Sequence, residues 1–176
     1  MDLNAYFQGH PPRCLAGFQV FPTELPGVVF DGHCEPTNAI FRLSCNCGRS
    51  QFVVIGYHWQ NPDFNFIDVF LSPIVLRCVA CDQLTELIDT DIHGHDGDQS
   101  ASCTARGEGS RVEFRCPTCG PRPFQIIASF EYPQDLFDRA CQEYRGRESD
   151  FFTWFSLLGI CEGCQKTIEI TDFECA

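Results

Sequence analysis

Four close pairs of cysteines constrain this chain more than any other feature: Cys45-Asn-Cys47, Cys78-Val-Ala-Cys81, Cys116-Pro-Thr-Cys119 and Cys161-Glu-Gly-Cys164. A close pair on a tight turn presents two sulfurs on one side. Two such turns brought together supply the four-sulfur tetrahedron that zinc prefers. Gly48 and Gly120 directly follow the second cysteine of their pairs, where the backbone folds under the metal and a positive φ is useful. The expected ligand sets are Cys45, Cys47, Cys78 and Cys81 for one zinc ion, and Cys116, Cys119, Cys161 and Cys164 for a second. The chain has 13 cysteines; the others, Cys14, Cys34, Cys103, Cys141 and Cys175, stand alone. An odd count leaves one thiol over in a closed disulfide set, and disulfide staples need an oxidising compartment. The N-terminal stretch lacks the basic start and apolar run of a signal peptide, so the expected location is cytoplasmic.

The pairs sit inside a repeated order of signals. Phe41-Arg-Leu43 precedes Cys45, and Phe52-Val-Val-Ile-Gly-Tyr57 follows Gly48; Val112-Glu-Phe114 precedes Cys116, and Phe124-Gln-Ile-Ile-Ala-Ser-Phe130 follows Gly120. An apolar run then leads into Cys78 in one case and Cys161 in the other, and Glu86 and Asp89 recur as Glu169 and Asp172. Polar–apolar alternation before each first pair predicts half-buried strands, and the short aromatic and β-branched runs predict more of them. The expected fold is mostly β with one short helix, built from two duplicated small antiparallel-sheet units of about four strands each. Metal-bearing turns join strands one and two, and three and four. A pseudo-twofold pair sharing one core is expected rather than two separate beads.

Four segments follow from this reading. Residues 1–38, punctuated by Pro11, Pro12, Pro22, Pro26 and Pro36, read as an extended arm that adds an edge strand or covers one face. Residues 39–92 form the first repeat, 93–110 an acidic linker rich in Gly and Ser, and 111–176 the second repeat. The second repeat carries an insertion, Gln134–Arg145, in which Leu136, Phe137, Ala140, Cys141 and Tyr144 share a helical face behind Pro133.

Charge restricts the partners. Against 12 Lys and Arg stand 24 Asp and Glu, a formal −12 over 176 residues. That balance argues against nucleic-acid binding driven by counterion release. The basic residues are uneven, with Arg106, Arg111, Arg115, Arg122, Arg139, Arg145, Arg147 and Lys166 all in the second half. No apolar run approaches the roughly 18 residues of a membrane span. A second cluster of chemistry-bearing residues, Asp89, Asp91, His93, His95, Asp96 and Asp98, lies in the linker region. On an extended stretch His93 and His95 would point the same way and, with Asp96, could hold an open metal that activates water, as in a metal-dependent hydrolase. The plainer reading of this stretch is a solvated acidic loop.

Cys116-Pro-Thr-Cys119-Gly120 with Cys161-Glu-Gly-Cys164 resembles the zinc-ribbon, or zinc-knuckle, class, and Cys45/Cys47 with Cys78/Cys81 resembles a variant of it. The separations between pairs are also similar to those of Mss4-like folds, in which two small sheets meet at a four-cysteine zinc. The resemblance implies structural zinc and contact with a protein or nucleic acid. Because a four-thiolate zinc has no open position for water, the reading is a binding module with two structural zinc ions and a protein partner. The alternatives are the His93/His95/Asp96 hydrolase, a nucleic-acid-binding zinc ribbon, and a thiol-redox protein using the pairs without metal.

Overall fold

A computed structural model describes residues 3–24, 37–60, 68–98 and 105–175. Among these residues nine strands form one sheet: β1 Gln19–Pro22, β2 Thr37–Ser44, β3 Gln51–Gln60, β4 Asp68–Cys78, β5 Leu84–Ile88, β6 Val112–Glu113, β7 Phe124–Tyr132, β8 Trp154–Cys161 and β9 Thr167–Glu174. Helices α1 Leu3–Gly9, α2 Gly94–Asp98 and α3 Gln134–Glu143 decorate it. The chain is thus mostly β, a curled antiparallel sheet. Period-two patterning explains it locally: along β8, Phe155, Leu157, Gly159 and Cys161 are buried, while Trp154, Ser156, Leu158 and Ile160 between them are only partly so.

Each half contains a three-strand meander, β3–β4–β5 in the first and β7–β8–β9 in the second. The leading strand of each half does not join its own meander. Instead β2 lies on β7, with Arg42 facing Ile127 and Phe41 facing Ala128. In the same register β6 lies on β3, with Glu113 facing Ile55 and Val112 facing Gly56. The two meanders meet where Phe52 of β3 faces Phe124 of β7, the two residues that follow the metal turns at equal distance. Exchanging the halves therefore maps the strand pairings onto themselves about the Phe52–Phe124 pair. Even the irregularities match. The β4–β5 ladder steps from Ile74↔Ile88 to Val75↔Glu86, and the β8–β9 ladder from Leu157↔Thr171 to Leu158↔Glu169.

One core serves both halves. Phe41, Phe52, Phe70, Phe124, Phe130, Phe152 and Phe155 are all essentially inaccessible, and the rings of Phe130 and Phe152 sit 4.8 Å apart in an edge-on contact. In α3, Phe137 and Ala140 are buried, and Cys141 packs against the core from a partly buried position.

Residues 1–38 are not extended throughout. Strand β1 does pair with the outer edge of β2, Val20 facing Leu43, but α1 is helical. Its Phe7 ring stacks on Tyr132 at 4.5 Å and its Tyr6 meets Phe137 edge-on at 5.6 Å. Aromatic burial rather than helix propensity holds this short helix. The connection expected to be a solvated linker is also partly docked. Ser72 N–H donates to Ala105 O at 3.0 Å and Gly107 N–H to Ser72 O at 2.8 Å. A Cβ on Gly107 would come within 2.2 Å of Tyr57. Residues 61–65, a polar stretch that the sequence reads as the short turn of the first repeat where the second carries its helical insertion, lie outside the described residues, as do Cys34 and Cys103.

Asp150, 8% exposed, anchors the N-terminal segment to the second half. It accepts the Arg13 backbone N–H at 2.8 Å and the Arg13 Nε. Hydrogen bonds to a charged partner are each worth about 1.5–3 kcal/mol. Asp150→Ala is expected to cost about 2 kcal/mol, read from the urea midpoint, and to make the first twenty or so residues the earliest site of limited proteolysis.

Candidate metal centres

Each thiol pair sits on a turn whose backbone is closed by its own hydrogen bonds. After β2, Cys45 N–H donates to Arg49 O at 2.7 Å and Gly48 N–H to Cys45 O at 2.8 Å. After β6, Cys116 N–H donates to Gly120 O at 3.0 Å and Gly120 N–H to Cys116 O at 2.9 Å. Gly48 and Gly120 adopt φ of 84° and 80°, the left-handed backbone open to glycine at little cost. The second pair of each half lies on the hairpin turn between the last two strands. Here Cys78 N–H donates to Gln83 O and Cys161 N–H to Lys166 O, both at 3.0 Å. Asp82 and Gln165 hold φ of 59° at matching positions. Both hairpin turns are tied sideways to the neighbouring strand, Val79 N–H to Gln51 O at 3.1 Å and Glu162 N–H to Pro123 O at 3.0 Å.

These turns gather Cys45, Cys47, Cys78 and Cys81 into one quartet and Cys116, Cys119, Cys161 and Cys164 into another, all sulfurs of a quartet within 4.8 Å of one another. The close approaches cross in the same sense: Cys45–Cys81 and Cys47–Cys78 at 3.6 Å, Cys116–Cys164 at 3.7 Å and Cys119–Cys161 at 3.5 Å. A metal–sulfur bond of about 2.3 Å in a tetrahedron demands sulfur–sulfur edges of about 3.8 Å. A disulfide needs about 2.05 Å. The crossing contacts lie near the tetrahedral edge and well beyond the length of a sulfur–sulfur bond. Both quartets can hold a metal ion.

The quartets share one row of the sheet. Cys78 faces Phe52, Phe52 faces Phe124 and Phe124 faces Cys161. Paired residues of an antiparallel ladder project to the same face, so both sulfurs stand on one side, three strand spacings or about 14 Å apart at the backbone. Cys45, Cys78, Cys116 and Cys161 are buried, whereas Cys47, Cys81 and Cys119 are exposed and Cys164 is partly so, so each centre has one side toward the core and one toward water.

The thiols do not ionise alike. Burial pushes Cys78 up, but the N–H groups of Cys81 and Ala80 and the neighbouring thiols outweigh it, and the thiol is lowered to about 7. Burial likewise raises Cys116, and the N–H groups of Thr118 and Cys119 with the surrounding thiols bring it down to about 6. The N–H of Cys47 favours the Cys45 thiolate, yet burial and the thiols of Cys81, Cys47 and Cys78 push Cys45 up to about 12. Cys119 is pushed up to about 12 by the Cys161 thiol first, then by burial and the thiols of Cys116 and Cys164. One thiolate per quartet forms readily and a partner resists. Full ionisation of four crowded sulfurs calls for a cation among them.

The second cluster is built differently from its expectation. His93 lies in a turn after β5 and His95 in α2, so the stretch is not extended and the two rings do not alternate along a strand. Gly94 sits between them at φ 82°, and a Cβ there would meet Cys175 at 2.6 Å. The Asp89 N–H donates to His93 Nδ1 at 3.0 Å, and burial lowers the His93 pKa. The His95 ring packs edge-on to Phe151 at 6.5 Å. Asp89 and Asp91 both pair with Arg106. The side chains of Asp96 and Asp98 lie outside the described residues. Among the described residues, the two cysteine quartets alone bring three or more metal-ligating groups together.

Two features of the centres have no counterpart in the sequence reading. The left-handed positions at Asp82 and Gln165 carry no glycine; their matched place directly after Cys81 and Cys164 is a signal that could have found them. The Phe52–Phe124 pairing between the centres was visible only as a repeated aromatic, not as a contact. Among the described residues no helix is long and apolar enough to cross a membrane. In comparisons with known proteins the chain matches no family model, no curated protein and no solved structure.

Proposed function

We propose that this chain is a zinc-binding interaction module whose two four-cysteine sites are structural and whose task is to dock a protein partner. The observation that carries the reading is the pair of sulfur quartets, each with all four sulfurs within 4.8 Å of one another and its two crossing contacts at 3.5–3.7 Å, close to the edge of a tetrahedral four-thiolate ion. Four-sulfur tetrahedra suit zinc or iron; zinc holds its thiolates without redox chemistry and fits a reducing, cytoplasmic setting. A filled quartet leaves no position for water, which supports binding over catalysis. The residues proposed as ligands are Cys45, Cys47, Cys78 and Cys81, and Cys116, Cys119, Cys161 and Cys164. The matched registers of the two halves support reading 39–92 and 111–176 as copies of one ancestral unit. A formal charge of −12, deepened by about −4 once two ions are held by eight thiolates, supports a protein rather than a nucleic-acid partner.

Elemental analysis of chain purified under reductant tests this reading. The expected result is two zinc ions per chain, unchanged in His93→Ala and reduced to one in Cys81→Ser or Cys164→Ser. A third metal lost on His93→Ala would move the reading to the metal-dependent hydrolase, and a chain with neither zinc nor iron would end it.

A further inference from the structure

The two halves match strand for strand except at one edge. In the first half β1 covers the outer edge of β2, with Gln19, Val20, Phe21 and Pro22 facing Ser44, Leu43, Arg42 and Phe41. The matching edge of the second half is Val112–Arg115, and among the described residues no strand pairs with its outer side. The consequence shows in burial: beneath β1, Phe41 and Leu43 are 1% and 0% exposed, whereas their counterpart Val112 is 42% exposed and Phe114 only partly buried. The backbone is set for a neighbour. Phe114 N–H donates to Val54 O at 2.9 Å, toward β3, so by the alternation of an antiparallel ladder Glu113 directs its N–H and C=O outward.

Charge says what fits there. Arg111, Arg115, Arg122 and Lys166 are all exposed around this edge and the adjoining metal turn, where the first half has Ile40, Ser44, Ser50 and Gln83; the first half's own exposed Arg42 and Arg49 match Glu113 and Pro121, so the second edge carries four cations to the first edge's two. Glu113 is already committed to Arg77 at 2.5 Å. We propose that the outer edge of Val112–Arg115 accepts an extended, acidic peptide segment of a partner protein as an added antiparallel strand. The geometry of β1 gives the pattern. An acidic residue lies opposite Arg115, an apolar one opposite Phe114, a free position opposite Glu113, an apolar one opposite Val112, and a second acidic residue opposite Arg111. Main-chain hydrogen bonds supply affinity and the alternating side chains specificity. This deepens the partner-docking reading and rests on it, since the edge is held in place by the second metal turn.

The probe is a fluorescently labelled peptide Gly-Glu-Val-Thr-Val-Glu-Gly, titrated into the full chain carrying two metal ions. Binding is expected to weaken about tenfold in Arg115→Glu, and similarly when lysine replaces both glutamates of the peptide. Glu113→Pro, which removes an outward donor and leaves the Phe114 bond to β3, should abolish it. Hydrogen exchange at the Glu113 amide should be fast in the free chain and slow in the complex. Absence of binding with both metals retained, or binding indifferent to Glu113→Pro, overturns the proposal and leaves the metal reading standing. A Glu113 amide already protected in the free chain also overturns it. Protection independent of concentration then assigns the edge to the chain's own strand, and protection rising with concentration to a second copy. Loss of metal, by contrast, counts against the module itself.

Discussion

Stripping metal from the reduced chain with a strong chelator at neutral pH will unfold both halves together, seen as simultaneous loss of the far-ultraviolet β signal and of the native Trp154 fluorescence. The magnitude follows from two scales. Structural zinc contributes about 10–16 kcal/mol in small zinc-finger peptides, while a typical domain has about 5–15 kcal/mol of total stability. Losing even one ion therefore removes an amount comparable to everything that holds the sheet. The strand exchange decides how far the damage spreads. The first centre clamps the end of β2 to the β4–β5 hairpin, but β2 is hydrogen-bonded to β7 of the second half. The second centre clamps the turn after β6 to the β8–β9 hairpin, and β6 is bonded to β3. An ion in each quartet would thus tie to its own hairpin a strand that is hydrogen-bonded into the other half. Acid should reach the same end point. Metal binding displaces thiol protons, so affinity falls as pH drops. Cys78 and Cys116, lowered to about 7 and about 6, favour the folded chain above the ordinary thiol range and lose that contribution as pH falls through those values. Titration with a colorimetric zinc indicator, alongside circular dichroism, checks both. A chain that keeps its β signal after metal loss would show that the core alone suffices.

How much of this was legible in the sequence varies with range along the chain. The thiol pairs, the glycines under them and the strands around them are local: spacing of one or two residues sets a turn, and alternation sets a face. The match between Val112-Glu-Phe114 and Phe41-Arg-Leu43 was also visible, because it needs only comparison of two segments. Which strand each would lie against was not. Alternation tells Phe41 and Leu43 to face the core, but β7 and β3 present equivalent aromatic and β-branched faces, so either satisfies the pattern. Shared register is a property of the assembled sheet. Helix α1 escaped for another reason. Its seven residues carry no acidic first turn or basic last turn, and the prolines that follow dominated the reading; burial of Phe7 and packing of the partly buried Tyr6 on Phe137 of α3 override weak local preference. The His-Gly-His stretch looked like an alternating strand, but glycine between two polar residues serves a turn equally well, and Gly94 takes that role with positive φ. Arg13 and Asp150, 137 positions apart, left no trace in local pattern at all.

The exchange of leading strands carries the second large expected effect, and it separates this architecture from two beads on a string. If residues 37–92 and 105–176 are expressed separately, each keeps its own four thiols and its own meander. Neither keeps the partner for its leading strand, and each exposes its side of the Phe52–Phe124 seam. A half of roughly sixty to seventy residues buries only about 60% of the surface its unfolded chain exposes, even with a complete core. Cutting through the seam removes Phe52 from Phe124 and Phe41 from Phe130, rings that stand 6.3 Å apart across the two halves in the second case. Burial of one such side chain is worth about 1.5–3 kcal/mol. Each fragment alone should therefore be largely unfolded and bind metal weakly, because sulfur pairs held on an unfolded chain must be ordered at the expense of binding. Mixed at equal concentration with two equivalents of zinc under reductant, the fragments should assemble into one particle of both chains with a native-like β signal. Sedimentation velocity and metal titration of the fragments, alone and mixed, read this directly. Two fragments that each fold around one ion and ignore one another would show that the β2–β7 and β6–β3 pairings are dispensable. The close register between the halves would then be a relic of duplication, not the joint that holds the molecule together.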